Sequence, residues 1–142
     1  MLLGVSRSSK TPTSIYLSQQ GYKVANIPLD PTSGRPAELE QVGRTRLFGL
    51  MTTPGVLIGI RQRRLGRASA VASRYADPEY VYRDLEDARA LMRKLGCIVI
   101  HTENRAVEET AQEICRYSKR AHPPSADLIG SAIAYGSPTI GR

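Results

Sequence analysis

Hydrophobic and polar positions along this chain alternate between short apolar runs and longer stretches of helical spacing. Met1-Leu2-Leu3 runs into Gly4 and reads as the end of a buried strand. Pro12 suits the first turn of a helix, where its missing N–H needs no partner; Thr13 to Gln20 carries Ile15, Tyr16 and Leu17, and Gly21 stops it. Tyr22 to Leu29 is β-rich, with Pro28 fitting a strand end. A loop from Asp30 to Pro36 precedes a short helix around 37–42. Arg46 to Thr53 is the third strand, and Pro54 opens the helix "PGVLIGIRQRRLGR", with Val56, Leu57, Ile60 and Arg64 at helical spacing. Residues 66–76 form a loop. Asp77 is an N-cap, Pro78 the first helical residue and Gly96 the stop of the clearest helix, whose apolar face is Tyr82, Leu85, Ala88, Leu91 and Met92. Cys97 to Ile100 is a fourth, continuous apolar strand, and Ala106 to Arg116 the last helix.

Strands and helices in alternation predict an α/β fold: a P-loop-type parallel sheet flanked by helices. From Ser118 onward the periodicity fails in a segment rich in Pro, Gly and Ser, expected to be a poorly ordered, irregular C-terminal tail. The expected division is one nucleotide-binding domain over residues 1–117 and a tail over 118–142.

Composition narrows the class of protein. The 142 residues are 41% hydrophobic, with no run approaching the roughly 20 residues of a membrane span. The apolar start is too short for a signal peptide. Cys97 and Cys115 stand outside any CxxC pattern and fit reduced thiols in a cytoplasmic protein. The net charge is +7, and 16 of the 20 basic residues are arginine, the side chain best shaped for bidentate phosphate contacts. Nucleic acid is the weaker partner class, because the basic residues are spread along the chain without aromatic stacking positions.

The chemistry is concentrated in Gly4-Val5-Ser6-Arg7-Ser8-Ser9-Lys10-Thr11. The phosphate-loop pattern is Gly, four residues, Gly, Lys, then Ser or Thr; here the spacing holds and Ser9 replaces the second glycine. A strand before and a helix after give successive backbone N–H groups and a helix N-terminus to a phosphate. In that pattern Lys10 reaches the β- or γ-phosphate and the Thr11 hydroxyl ligates Mg²⁺. If Ser9 sits at positive φ, serine costs roughly 1 kcal/mol against glycine, less than the charge-assisted hydrogen bonds it permits, at about 1.5–3 kcal/mol each. Asp30, after the second strand, stands where α/β sites gather and is a candidate proton acceptor, although a loop-turn role is the simpler one. His101 ends another strand, a position that can line the same crevice, although a hydrogen-bonded structural histidine is the simpler reading. Arg61, Arg63, Arg64 and Arg67 form a basic helix face, solvated or meeting phosphate or a partner. Glu108 and Glu109 suit a helix N-terminus; Tyr75, Tyr80 and Tyr82 read as packing residues.

These residues also carry a resemblance. The segment "GVSRSSKTPTSIYLSQQGYKVANIPL", then "LFGL", "GIRQRRL", "SRYADPEYVYRDLEDARALMRKLG" and "NRAVEETAQEI", resembles the pyruvate, phosphate dikinase and phosphoenolpyruvate synthase regulatory proteins over about residues 2–117. A serine commonly precedes the lysine in that family. The resemblance implies a bifunctional enzyme, an ADP-dependent serine/threonine kinase acting on a threonine of the dikinase or synthase, and a phosphate-dependent pyrophosphorylase that removes the group. It implies that Gly4 to Thr11 bind ADP, that Lys10 is catalytic, and that ADP, phosphate or pyrophosphate and Mg²⁺ are the small molecules involved. It leaves the oligomeric state open, a homo-oligomer included. Family members carry a comparable length of chain before this point, so the expected correspondence is to their C-terminal half. The alternative is then a non-catalytic nucleotide-binding fragment. The family often has Asp or Asn at the position of His101 and an apolar residue at that of Asp30, which weakens both as site residues.

Overall fold

A computed structural model of the chain describes residues 1–30, 35–65 and 74–121. Residues 31–34 of the loop expected at Asp30–Pro36, residues 66–73 of the loop expected at 66–76, with Arg67, and the tail beyond Ala121 lie outside the described residues; the described end of the 66–76 segment is a 3₁₀ turn, Arg74–Ala76.

Four strands form one parallel sheet: β1 (Leu2–Gly4), β2 (Asn26–Pro28), β3 (Phe48–Met51) and β4 (Ile98–His101), in the order β2-β1-β3-β4. Among the described residues, four helices flank it: α1 (Lys10–Gln19), α2 (Pro54–Leu65), α3 (Pro78–Leu95) and α4 (Val107–Ala121). The α/β architecture expected from the alternation is therefore present. The side-chain alternation of a strand divides the core in two. Leu3, Val5 and Met51 face α2 and α3, where Leu57, Val81, Leu85, Ala88 and Met92 cover them. Leu2, Phe48, Leu50 and Ile100 face α1 and α4, where Leu17, Ala111 and Ile114 cover them.

Several helix ends follow their local chemistry. The Asp77 carboxylate accepts the Glu79 N–H at 3.0 Å, Pro78 occupies the first turn, and Gly96 leaves the helix at φ 68°. Gly21, at φ 90°, follows α1. A Cβ on Gly49 would sit 2.9 Å from Met92 Cγ, so the glycine lets α3 lie close on β3.

The structure corrects some expectations. Strand β2 is shorter than Tyr22–Leu29, and the helix near residue 37 is a 3₁₀ turn, Ala37–Gln41. Tyr82 is 56% exposed; the inward stripe of α3 is Val81, Asp84, Leu85, Ala88 and Met92. Val99 is 42% exposed, because β4 is an edge strand whose α3 side is only partly covered. Helix α4 continues past Arg116 to Ala121.

Candidate functional site

In the order β2-β1-β3-β4, the connection leaving β1 runs through α1 on one face of the sheet and that leaving β3 runs through α2 on the other, which opens a crevice at the carboxyl ends of the strands. The segment Val5–Ser9 crosses that crevice from β1 to α1. Its shape begins with Gly4, where a Cβ would collide with Ser8 Oγ and lie 2.9 Å from Leu50 O. Ser8 turns inward and its hydroxyl donates to Val5 O at 2.8 Å. Arg7 and Ser9 both have positive φ, 71° and 68°, while Ser8 between them does not. This alternation turns successive N–H groups towards one side and makes an anion-binding concavity. Ser9 caps α1 without a side-chain bond to the helix, which leaves the positive end of α1 directed at the same space.

The result is a cleft of about 540 Å³ lined by Ser6, Arg7, Ser9, Lys10, Thr11, Pro12, and by Asn26, Pro28 and Ile60 across from them. Gly4, Val5 and the buried Ser8 do not line it; they hold the loop from beneath. Lys10 is buried, and its ammonium donates to Val5 O at 2.7 Å. Burial pushes Lys10 down to about 8; Asp84 opposes that shift and Arg61 adds to it. The cation is thus pre-placed over the loop and incompletely solvated, ready to exchange a carbonyl for a stronger anionic acceptor.

Behind the loop lies a second cavity, of about 270 Å³, lined by Ser6, Pro28, Leu29, Asp30, Arg61, Tyr75, Tyr80 and Asp84. It shares Ser6 and Pro28 with the first. Asp30 therefore stands beside the Lys10 cleft rather than within it. The floor is a buried ion pair, Arg61 Nη2 to Asp84 Oδ2 at 2.7 Å, with both side chains excluded from water. Burial pushes the Asp84 carboxyl above its ordinary range, and the bond from Arg61 pulls the other way. The guanidinium also donates to Tyr75 O at 3.1 Å and to Ser6 O at 3.3 Å, and it lies 4.4 Å from the Tyr75 ring centre. The Tyr75 and Ser6 hydroxyls are 2.6 Å apart.

This overturns the reading of Arg61 as part of a basic surface face. It is buried, whereas Arg63 and Arg64 are exposed. Tyr75 does more than pack, since it bonds the loop. Asp84 was not foreseen at all, although a signal existed: Leu57 and Arg61, and Val81, Asp84 and Leu85, are each four or fewer residues apart, so both charges interrupt apolar stripes. His101 lies at the exposed end of β4, with Nδ1 3.4 Å from Glu103 Oε1, and lines neither cavity. Glu108 and Glu109 occupy the first turn of α4 as their charge favours. Both cysteines are free and half-buried.

The kinase/pyrophosphorylase family model matches residues 1–115, which include every residue of the loop. The chain belongs to the kinase/pyrophosphorylase family. Among family relatives, a protein of Pediococcus pentosaceus is 47% identical over 112 residues, 78% of this chain and 42% of its own length. One from Listeria innocua serovar 6a is 48% identical over 112 residues, with the same coverage. One from Ligilactobacillus salivarius is 46% identical over 118 residues. All three are named as pyruvate, phosphate dikinase regulatory proteins. The chain spans about 42% of the length of these relatives. Among the described residues no helix is long and apolar enough to cross a membrane.

Proposed function

We propose that the chain is the nucleotide-binding, phosphoryl-transferring part of a bifunctional regulator of pyruvate, phosphate dikinase or phosphoenolpyruvate synthase. In this reading it phosphorylates a threonine of its target with ADP and reverses the modification with inorganic phosphate. The observation that carries the proposal is the Gly4–Thr11 loop. Alternating backbone signs at Arg7, Ser8 and Ser9, an open helix N-terminus and a buried lysine converge on one cleft. That is the donor set an oligophosphate needs.

Arg7 and Lys10 then hold the phosphates together with the loop amides, and Lys10 offsets charge as the β-phosphoryl group moves. The threonine oxygen attacks the β-phosphorus, the bond to the bridging oxygen breaks, and AMP leaves. In the reverse function phosphate attacks the phosphothreonine phosphorus, threonine is regenerated and pyrophosphate leaves. In this reading Asp30, which lines the adjoining cavity, would take the hydroxyl proton. Mg²⁺ would enter this reading as a cation carried in by the phosphates; among the described residues no cluster of three or more His, Cys, Asp or Glu side chains is arranged for a metal. The exposed Thr11 hydroxyl at the cleft would be its protein contact, and the ion would neutralise phosphate charge. Free thiols outside any CxxC pattern fit a cytoplasmic setting in this reading.

The chain's 42% span of its relatives supports one second reading, a chain that binds nucleotide without transferring phosphate by itself. Incubation with ADP, Mg²⁺ and each purified target, followed by mass spectrometry of the target's active-site peptide, separates the two. Phosphorylated threonine supports the enzyme; ADP binding without transfer supports the second reading. Absence of ADP binding sinks both.

A further inference from the structure

The loop contains two residues at positive φ, a conformation that persists only where the surroundings fix it. From inside, it is tied by Ser8 and Lys10, both of which donate to Val5 O. The Lys10 tie is lost whenever its ammonium turns to a ligand. From outside, the loop is held at Ser6 by two bonds independent of Lys10: Arg61 Nη2 to the Ser6 carbonyl, and the hydroxyl pair of Ser6 and Tyr75. One guanidinium thus joins the loop at Ser6 to a distant part of the chain, the short 3₁₀ turn at Tyr75 and the helix α3 that follows it, at Asp84.

A buried ion pair is a poor source of stability alone, since apolar residues of similar volume often serve as well. The fork geometry, with separate acceptors on Nη1 and Nη2, has a use that apolar replacements lack. We infer that Arg61, with Asp84 as its buried counter-ion and Tyr75 stacked on it, is a brace that holds the Ser6–Ser9 loop in its anion-binding shape, making Arg61, Asp84 and Tyr75 positioning residues for the bound diphosphate. The inference rests on the proposed role of the loop but not on a nucleotide being the ligand. None of the three residues is required to touch the phosphates.

The brace also acts electrostatically. The charged groups acting on Lys10 are Asp84 from α3, which favours its protonated form, and Arg61 from α2, which disfavours it; Arg7 of the loop lines the same cleft. Affinity for a diphosphate anion falls as pH rises through the free-state value of Lys10, about 8. Loss of the Asp84 charge therefore moves that fall to lower pH, and loss of the Arg61 charge moves it to higher pH. A purely structural disturbance does not shift the two partners in opposite directions.

The test is calorimetric titration of the whole chain with inorganic pyrophosphate from pH 6.5 to 9.5, with ADP as a parallel arm. The variants are Tyr75→Phe, Asp84→Asn and Arg61→Gln. Tyr75→Phe removes one hydroxyl at a half-buried site, so it keeps the test informative if either ion-pair variant fails to fold. The expected result is pyrophosphate affinity about 3- to 10-fold weaker in Tyr75→Phe, the range of one net hydrogen bond, with pH midpoints displaced oppositely in the ion-pair variants. Wild-type affinity and an unchanged profile in Tyr75→Phe and in whichever ion-pair variants fold overturn the brace while leaving ADP binding intact. Pyrophosphate binding with the expected variant effects, but no ADP binding, overturns the nucleotide reading and leaves the brace. No pyrophosphate binding to the wild type overturns the brace outright.

Discussion

Lys10 sets stability against function within one side chain. Its folded value of about 8 lies below the ordinary 10.5, with burial as the main cause. The unfolded chain keeps the proton up to about 10.5 and the folded chain only to about 8. Folding therefore disfavours the charged form, and this group's contribution to stability rises with pH between those values. Below pH 8 the buried cation is a cost to stability, for which the proposed anion site gives a reason. Lys10→Met should accordingly raise the melting temperature at pH 7, raise it less at pH 10, and weaken ADP binding by at least ~1.5–3 kcal/mol. Thermal denaturation and calorimetry on the same samples check both halves; unchanged ADP affinity would remove Lys10 from the site. Ser9 has the opposite balance. At φ 68° a serine is strained by roughly 1 kcal/mol, but glycine would loosen the unfolded chain by a similar amount. Ser9→Gly is expected to leave the melting temperature nearly unchanged, so the departure from the usual phosphate-loop pattern carries little energetic meaning.

Close approach between elements gives a sharper prediction, because Gly49 lies directly beneath Met92. Any side chain there pushes α3 off β3 or forces Met92 from its rotamer. Gly49→Val is expected to destabilise the fold by about 1–3 kcal/mol, the usual cost of overpacking, seen as a lower denaturant midpoint. Gly49→Ala should cost less, since Met92 is flexible. This contact explains what was legible in the sequence. Strands β1, β3 and β4 and helix α3 are short-range objects, written in apolar runs, an Asp-Pro start and a glycine stop. The loop was legible because its pattern is local too. Strand β2 was overestimated because Tyr22 and Val24 are apolar for another reason: they pack beside α1 and α4 below the sheet. Arg61 was misplaced because its neighbours in sequence are solvated arginines, while its partner Asp84 is 23 residues away on another helix. Periodicity assigns a face to each residue but does not pair two faces.

For the whole molecule, the question is how much chain the two cores require. The α2–α3 side is assembled from residues up to Cys97, and the α1–α4 side closes with Ala111, Ile114 and Cys115. Helix α4 runs on to Ala121, but Tyr117 is 38% exposed and Lys119, Arg120 and Ala121 face solvent. The inward stripe of α4 has therefore delivered its apolar contacts before the helix ends, and the last turn contributes mainly Lys119 and Arg120 at the negative end of the dipole. Among the described residues, the Lys10 cleft draws on none beyond Ile60 and the inferred brace on none beyond Asp84. The described elements thus run to the end of α4 at Ala121, beyond residue 117. A chain ending at Ala121 is expected to unfold in one cooperative transition, with a melting temperature within about 4 °C of the full chain, the shift that roughly 1 kcal/mol produces at this size. Its pyrophosphate affinity should equal that of the full chain. Scanning calorimetry of the two forms decides the matter: a broad or absent transition in the shorter one would mean that residues 122–142 complete a core that the strands and helices do not close alone.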